Sequence, residues 1–136
     1  ASLCAEEELV LTTAGIHYVS HWITPVGEAR RFDTRFFVAR APQAQEPLHD
    51  DHETIESLWV RPTDALDRFA AGELGMFPPT VRNLEFLAPH ASADDVLAAA
   101  ATVGTPPVIL PKLRVDDEGK VTGIAVPGDD DYDELD

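Results

Sequence analysis

One cysteine in 136 residues, Cys4, excludes an intrachain disulfide and any thiolate metal site assembled within the chain. Basic residues are also scarce. Ten Lys and Arg against 25 Asp and Glu leave a formal net charge of -15 at pH 7, and a field of that sign repels nucleic acid and anionic membranes before contact. No apolar run approaches the roughly 20 residues of a membrane helix, and the start lacks the basic-then-apolar pattern of a signal peptide. These absences lead to the expectation of a soluble protein in a reducing compartment, the cytoplasm, with neither nucleic acid nor membrane as a partner.

Several catalytic motifs are absent as well. The chain has no Gly-rich phosphate loop, no His-x-x-x-His pair on a helix, no Gly-x-Ser-x-Gly elbow and no Cys/His metal pattern. Cys4 stands beside Glu6, Glu7 and Glu8, which oppose formation of a thiolate nucleophile. The opening residues Ala1 to Cys4, running into those glutamates, read either as the end of a helix or, from residue 2 to about 9, as a solvated acidic surface.

What is present is enough for one α+β domain. A hydrophobic content of 44% supports a single core over residues 1–128, and the acidic tail 129–136 is too charged to bury, so it is expected frayed or extended over the surface. The first strong strand signal is Gly15 to Thr24. Alternation there places Ile16, Tyr18, Ser20 and Trp22 on one face and His17, Val19, His21 and Ile23 on the other. Ser20 thus faces away from both imidazoles, which read as structural histidines.

A second strand runs from about Arg31 to Arg40. Residues 30–40 hold four of the ten basic residues, Arg30, Arg31, Arg35 and Arg40, which makes this stretch the place to look for anion binding. Phe32, Thr34, Phe36 and Val38 can enter a core, while Arg31, Asp33 and Arg35 share the opposite face with Phe37. Arg31 and Arg35 would stand about 13 Å apart at 3.3 Å per residue. Such an array either binds an extended polyphosphate or closes on itself as an ion-pair ladder.

Farther on, His49-Asp50-Asp51-His52-Glu53 combines metal-ligating side chains, but contiguous ligands seldom converge on one ion, and a solvated acidic loop is the alternative. A strand is expected over Thr54 to Arg61, around Trp59. Three helices follow. The first starts at Pro62-Thr63-Asp64 with Thr63 as its cap, and the second opens on Pro78-Pro79. The third, Ala93 to Val103, is capped by Ser92 with Asp95. Val108 to Val115 and Lys120 to Val126 are expected to form a hairpin turning at Gly119.

Four stretches in this order, Trp22-Ile23-Thr24-Pro25, Arg31-Phe32-Asp33-Thr34-Arg35-Phe36-Phe37, Glu53 to Trp59, and Arg61-Pro62-Thr63-Asp64-Ala65-Leu66, resemble the Nudix hydrolase superfamily. The resembling branch is that of the peroxisomal coenzyme A diphosphatase of the Nudix 19 type and its bacterial relatives. Pro78-Pro79 and Pro127-Gly128-Asp129 extend the resemblance over most of the chain. It implies a Nudix-like α/β/α sandwich with a mixed sheet, and a diphosphatase acting on a nucleoside diphosphate-linked small molecule, with coenzyme A or acyl-coenzyme A as candidates.

One departure matters. The Nudix box, Gly-x5-Glu-x7-Arg-Glu-x-x-Glu-Glu-x-Gly, is missing, since no Arg-Glu pair occurs anywhere in the sequence. The chain therefore reads as the portion downstream of the catalytic helix, inactive by itself; a module that binds a nucleotide-like ligand or a protein without catalysis is the alternative. The resemblance implies Mg2+ or Mn2+ as cofactor of the complete enzyme. It also implies Trp22, Arg31, Arg35, Phe37 and Trp59 as substrate-binding residues and Glu53 as an accessory carboxylate. An incomplete domain would expose apolar surface, to be covered by a preceding segment, a partner or a second copy in a homo-oligomer.

Overall fold

A computed structural model describes residues 13–42 and 58–135, together with Glu6 and Glu8. The described strands are β1 (Ile16–Ile23), β2 (Asp33–Ala39), β3 (Val108–Ile109), β4 (Lys112–Val115) and β5 (Val121–Ala125); the helices are α1 (Pro62–Ala70), α2 (Pro78–Leu87) and α3 (Ala93–Thr102), with a 3-10 turn at Tyr132–Glu134. This is an α+β arrangement with a mixed sheet, consistent with a Nudix-like α/β fold. The expected strand at Thr54 to Arg61 falls partly outside the described residues, and 58–61 have no regular secondary structure.

β1 is rich in β-branched and aromatic residues, which suit a pleated, covered surface. It is the middle strand of the order β2-β1-β3, antiparallel to β2 and parallel to β3. The connection from β1 to β2 is closed by Thr24. Its N–H donates to Phe32 O at 3.0 Å, and its hydroxyl accepts the Phe32 N–H at 2.9 Å.

The expected hairpin is divided. Its first two residues form β3 and pair with β1, and only Lys112–Val115 pairs with β5. Proline explains the division, because Pro106, Pro107 and Pro111 flank β3 and lack the N–H that a longer ladder would need. Gly119 turns the β4–β5 hairpin at φ 80°, while Asp116 Oδ1 accepts the Glu118 and Lys120 N–H groups at 3.1 and 2.8 Å.

α1 packs on α2, and α3 packs against β1 and β2. Ser20 ties α2 to the sheet, its hydroxyl donating to Asn83 Oδ1 at 2.7 Å. The first helix begins two residues earlier than a Thr63 cap would place it: Arg61 is the N-cap and Pro62 the first helical residue. Proline there has a preset φ and no N–H to leave unpaired, so a side-chain cap is less needed. Ser92 caps α3 as its spacing predicts, accepting the Asp95 N–H at 3.2 Å. Replacing Ser92 by alanine is expected to cost about 1 kcal/mol, and Ser92→Asn to cost little, in urea unfolding of the two variants.

The core is small. Among the described residues, Trp22, Ala65, Ala100 and Ala125 are the buried hydrophobic ones, whereas Phe32, Trp59 and Phe77 are largely exposed. None of the helices among the described residues is long and apolar enough to cross a membrane.

The chain end departs from expectation. Residues 129–135 are neither frayed nor simply spread over the surface, because basic groups of β4 neutralise them. Arg114 Nε and Nη2 donate to the two Asp131 carboxylate oxygens at 2.6 and 2.7 Å, and Nη2 also reaches Asp129 Oδ2 at 2.9 Å. Lys112 Nζ donates to Leu135 O at 2.6 Å, and Tyr132 donates its hydroxyl to Leu110 O at 2.7 Å.

Candidate functional site

The site is built on the β1–β2 pair, whose two faces carry different chemistry. A bulge decides which residues share a face. Tyr18 pairs with Phe37 and Ser20 with Phe36, so Val19 is the extra residue. Beyond a one-residue bulge the side chains of a strand exchange faces. Tyr18 therefore joins His21 on one face, with ring centroids 6.2 Å apart, and His17, opposite Val38, joins Ser20 and Trp22 on the other. The simple alternation expected for 15–24 is corrected accordingly: only His21 lies opposite Ser20.

The first face is polar with an aromatic border. His21 Nε2–H donates to Asp33 Oδ1 at 2.6 Å, and the same oxygen accepts from Arg35 Nη1 at 3.0 Å. Tyr18 lies against Phe37 at 5.4 Å between ring centroids. Arg35 and Phe37 thus come together here, but the guanidinium is engaged by Asp33. Of the two options for the arginine array, the geometry shows a local ion pair between Asp33 and Arg35, about half exposed on both sides, with His21 as its third member.

Arg31 does not join this array. It precedes β2, and its Nε donates to Thr24 O at 3.0 Å, bracing the turn between the strands. Trp59 is 80% exposed in the stretch before α1. Glu53 and the rest of His49–Glu53 lie outside the described residues.

The second face is apolar. Trp22, paired with Thr34, is 3% exposed and lines a groove of about 520 Å3 between the strands and the start of α2. Phe32, Phe36 and Phe77 supply its other aromatic walls, with Pro25, Pro78, Pro79 and Pro111 between them. Glu28 and Arg30 are its charged lining residues. Phe77 carries no catalytic motif, and its sequence signal was only the Pro78-Pro79 helix start beside it. Nothing in the sequence marked the Val19 bulge that brings Tyr18 to the polar face.

A second cavity, of about 600 Å3, lies between the start of α1 and the α2–α3 connection, lined by Arg61, His90 and mainly small side chains. It contains none of the residues expected at a substrate site. The groove is slightly smaller, but its four aromatic rings make it the better ligand site by lining. Among the described residues no group of three His, Cys, Asp or Glu side chains converges as a metal ion requires.

A mixed sheet accompanied by helices, with aromatic and arginine-bearing faces on its first antiparallel pair, is consistent with a Nudix-like α/β fold. The family model for the NUDT19 Nudix domain matches residues 1–87, and the chain belongs to that family. Its relatives include the acyl-coenzyme A diphosphatase NUDT19 of Homo sapiens, 31% identical over 96 residues, covering 69% of this chain and 26% of that protein. The Gallus gallus protein of the same name is 34% identical over 85 residues, covering 57% and 22%, and that of Xenopus laevis is 28% identical over 99 residues, covering 69% and 26%. The chain thus spans about a quarter of the length of these curated relatives. No solved structure matches it at a significant level.

Proposed function

We propose that this chain is the substrate-side portion of a metal-dependent Nudix hydrolase that cleaves the diphosphate linkage of a nucleoside diphosphate derivative, with coenzyme A or acyl-coenzyme A as the substrate. The observation that carries the reading is the family match over residues 1–87, joined to relatives that are acyl-coenzyme A diphosphatases. The polar and apolar faces of β1–β2 then serve as walls that bind and orient the substrate.

The described residues do not offer a metal-ligand set, so a Mg2+ or Mn2+ ion would take its carboxylates from elsewhere. The 136 residues also contain no Nudix box. They are therefore assigned substrate binding without hydrolysis. The missing Nudix box within the 136 residues also suits a second reading, a module that binds a nucleotide-like ligand or a protein and catalyses nothing.

Calorimetric titration of the 136-residue chain with coenzyme A, with and without Mg2+, and chromatography of the same mixtures test both. Binding without product is the expected result. Release of a nucleotide product would overturn the assignment of inactivity, and failure to bind coenzyme A under either condition would overturn the substrate-wall reading.

A further inference from the structure

We propose that the groove beside Trp22 receives the long, flexible arm of coenzyme A, the stretch of methylene and methyl groups interrupted by amide carbonyls that ends in the thiol or its acyl group. The inference rests on the coenzyme A reading above and assigns one part of that ligand to one face of the sheet.

Three features of the groove select this part. Its volume of about 520 Å3 suits a small-molecule segment. Its walls are aromatic rings and prolines, with Phe32 and Phe77 presenting 64% and 81% of their surface, so an apolar chain laid along them removes hydrocarbon from water on both sides. The third feature is an unsatisfied donor: among the described residues, the buried Trp22 Nε1–H has no hydrogen-bond acceptor. Buried donors are nearly always paired, and an unpaired one carries a desolvation cost. The N–H is covered in the free chain, so the proposed binding includes a small turn of the indole that presents it to an amide carbonyl of the arm, an acceptor carried on an otherwise apolar chain.

The phosphates fit this groove poorly. Its one cationic lining residue, Arg30, is accompanied by the carboxylate of Glu28, and the chain as a whole carries -15. The adenine ring is the competing occupant, because exposed phenyl rings also stack on bases. An indole donor among prolines favours the arm over a base held by stacking, and the two occupants separate cleanly by experiment.

The 136-residue chain and its variants Phe77→Ser and Trp22→Phe are titrated calorimetrically with coenzyme A, octanoyl-coenzyme A and adenosine 3′,5′-bisphosphate, which lacks the arm. Phe77 is exposed, so its variant is expected to fold as the parent does. Loss of the ring is expected to weaken both arm-bearing ligands about tenfold, and loss of the indole donor to weaken them about threefold to tenfold, with the bisphosphate unchanged. Equal weakening of all three ligands by Phe77→Ser would place the adenine there and overturn the proposal. Unchanged binding of coenzyme A in both variants would overturn the subsite alone, whereas no binding of any ligand to the parent chain would overturn the coenzyme A reading and the subsite with it.

Discussion

Replacing Trp22 by alanine is expected to lower the unfolding free energy by about 3–5 kcal/mol, the range for deleting a large buried aromatic side chain. Few residues here offer that much. Among the described residues the other buried hydrophobic side chains are the alanines at 65, 100 and 125, so there the indole is the one large buried hydrophobic group. A domain of this size has roughly 5–15 kcal/mol of stability in all, so the variant is expected to unfold at a markedly lower urea concentration. A loss below about 1 kcal/mol would show that Trp22 does not anchor the core.

The phenylalanine variant separates the ring from its donor. Trp22→Phe keeps much of the apolar surface and removes an N–H that has no acceptor among the described residues; the relief of about 1–3 kcal/mol from deleting an unsatisfied donor offsets the lost contact. Near-neutral stability without ligand, together with weaker coenzyme A binding, is the combined signature of an indole that packs in the free chain and donates in the complex.

Replacing Arg114 by methionine is expected to detach residues 127–135 from the β4–β5 hairpin. The guanidinium is the common partner of Asp129 and Asp131, and its fork matches the Asp131 carboxylate with two bonds, a geometry that lysine cannot reproduce. Hydrogen exchange should show protection lost at Asp129, Tyr132 and Glu134, whose N–H groups are bonded within this segment, with the hairpin itself retained. Arg114→Lys should fall between the two. Full protection in the methionine variant would mean that Tyr132 and Lys112 hold the segment without the arginine.

The same clasp has a defined pH window. The backbone N–H of Val126, and then Arg114, hold the Asp129 carboxyl below its ordinary value, and hydrogen bonding to Arg114 does the same for Asp131. Groups with a lowered folded-state pKa stabilise the fold above their unfolded pKa, 3.8 here, and lose that contribution as pH falls through the lowered values. Arg114 is itself raised, chiefly by its bonds to Asp131 and Asp129, and stays charged throughout. Protection of 129–134 is therefore expected to be level from pH 7 to 5 and to disappear only in stronger acid.

Much of the scaffold was legible in the residues. The positions of β1 and β2, the proline start of α2, the Ser92 cap and the Gly119 turn all follow from local preferences, because each depends on residues within a few positions of one another. What was hidden depends on partners distant in sequence. Pairing of Val108 and Ile109 with β1 diverts them from their own hairpin. The acidic end is docked because Arg114 and Lys112 wait on a neighbouring strand, a neutralisation that a count of charges does not reveal.

The site divides in the same way. By itself the sequence determined the family, through the Trp22–Pro25 and Arg31–Phe37 stretches, and the absence of a Nudix box within these 136 residues. Only the tertiary structure decided how those residues are distributed. The one-residue bulge at Val19 exchanges the faces of β1, Asp33 engages Arg35 and His21, Arg31 is spent on the turn, and Trp22 is turned to the apolar groove with Phe77. The physical reason is that residue types and their spacing are carried by the chain, whereas a face is a property of strand pairing, and one unpaired residue reverses it.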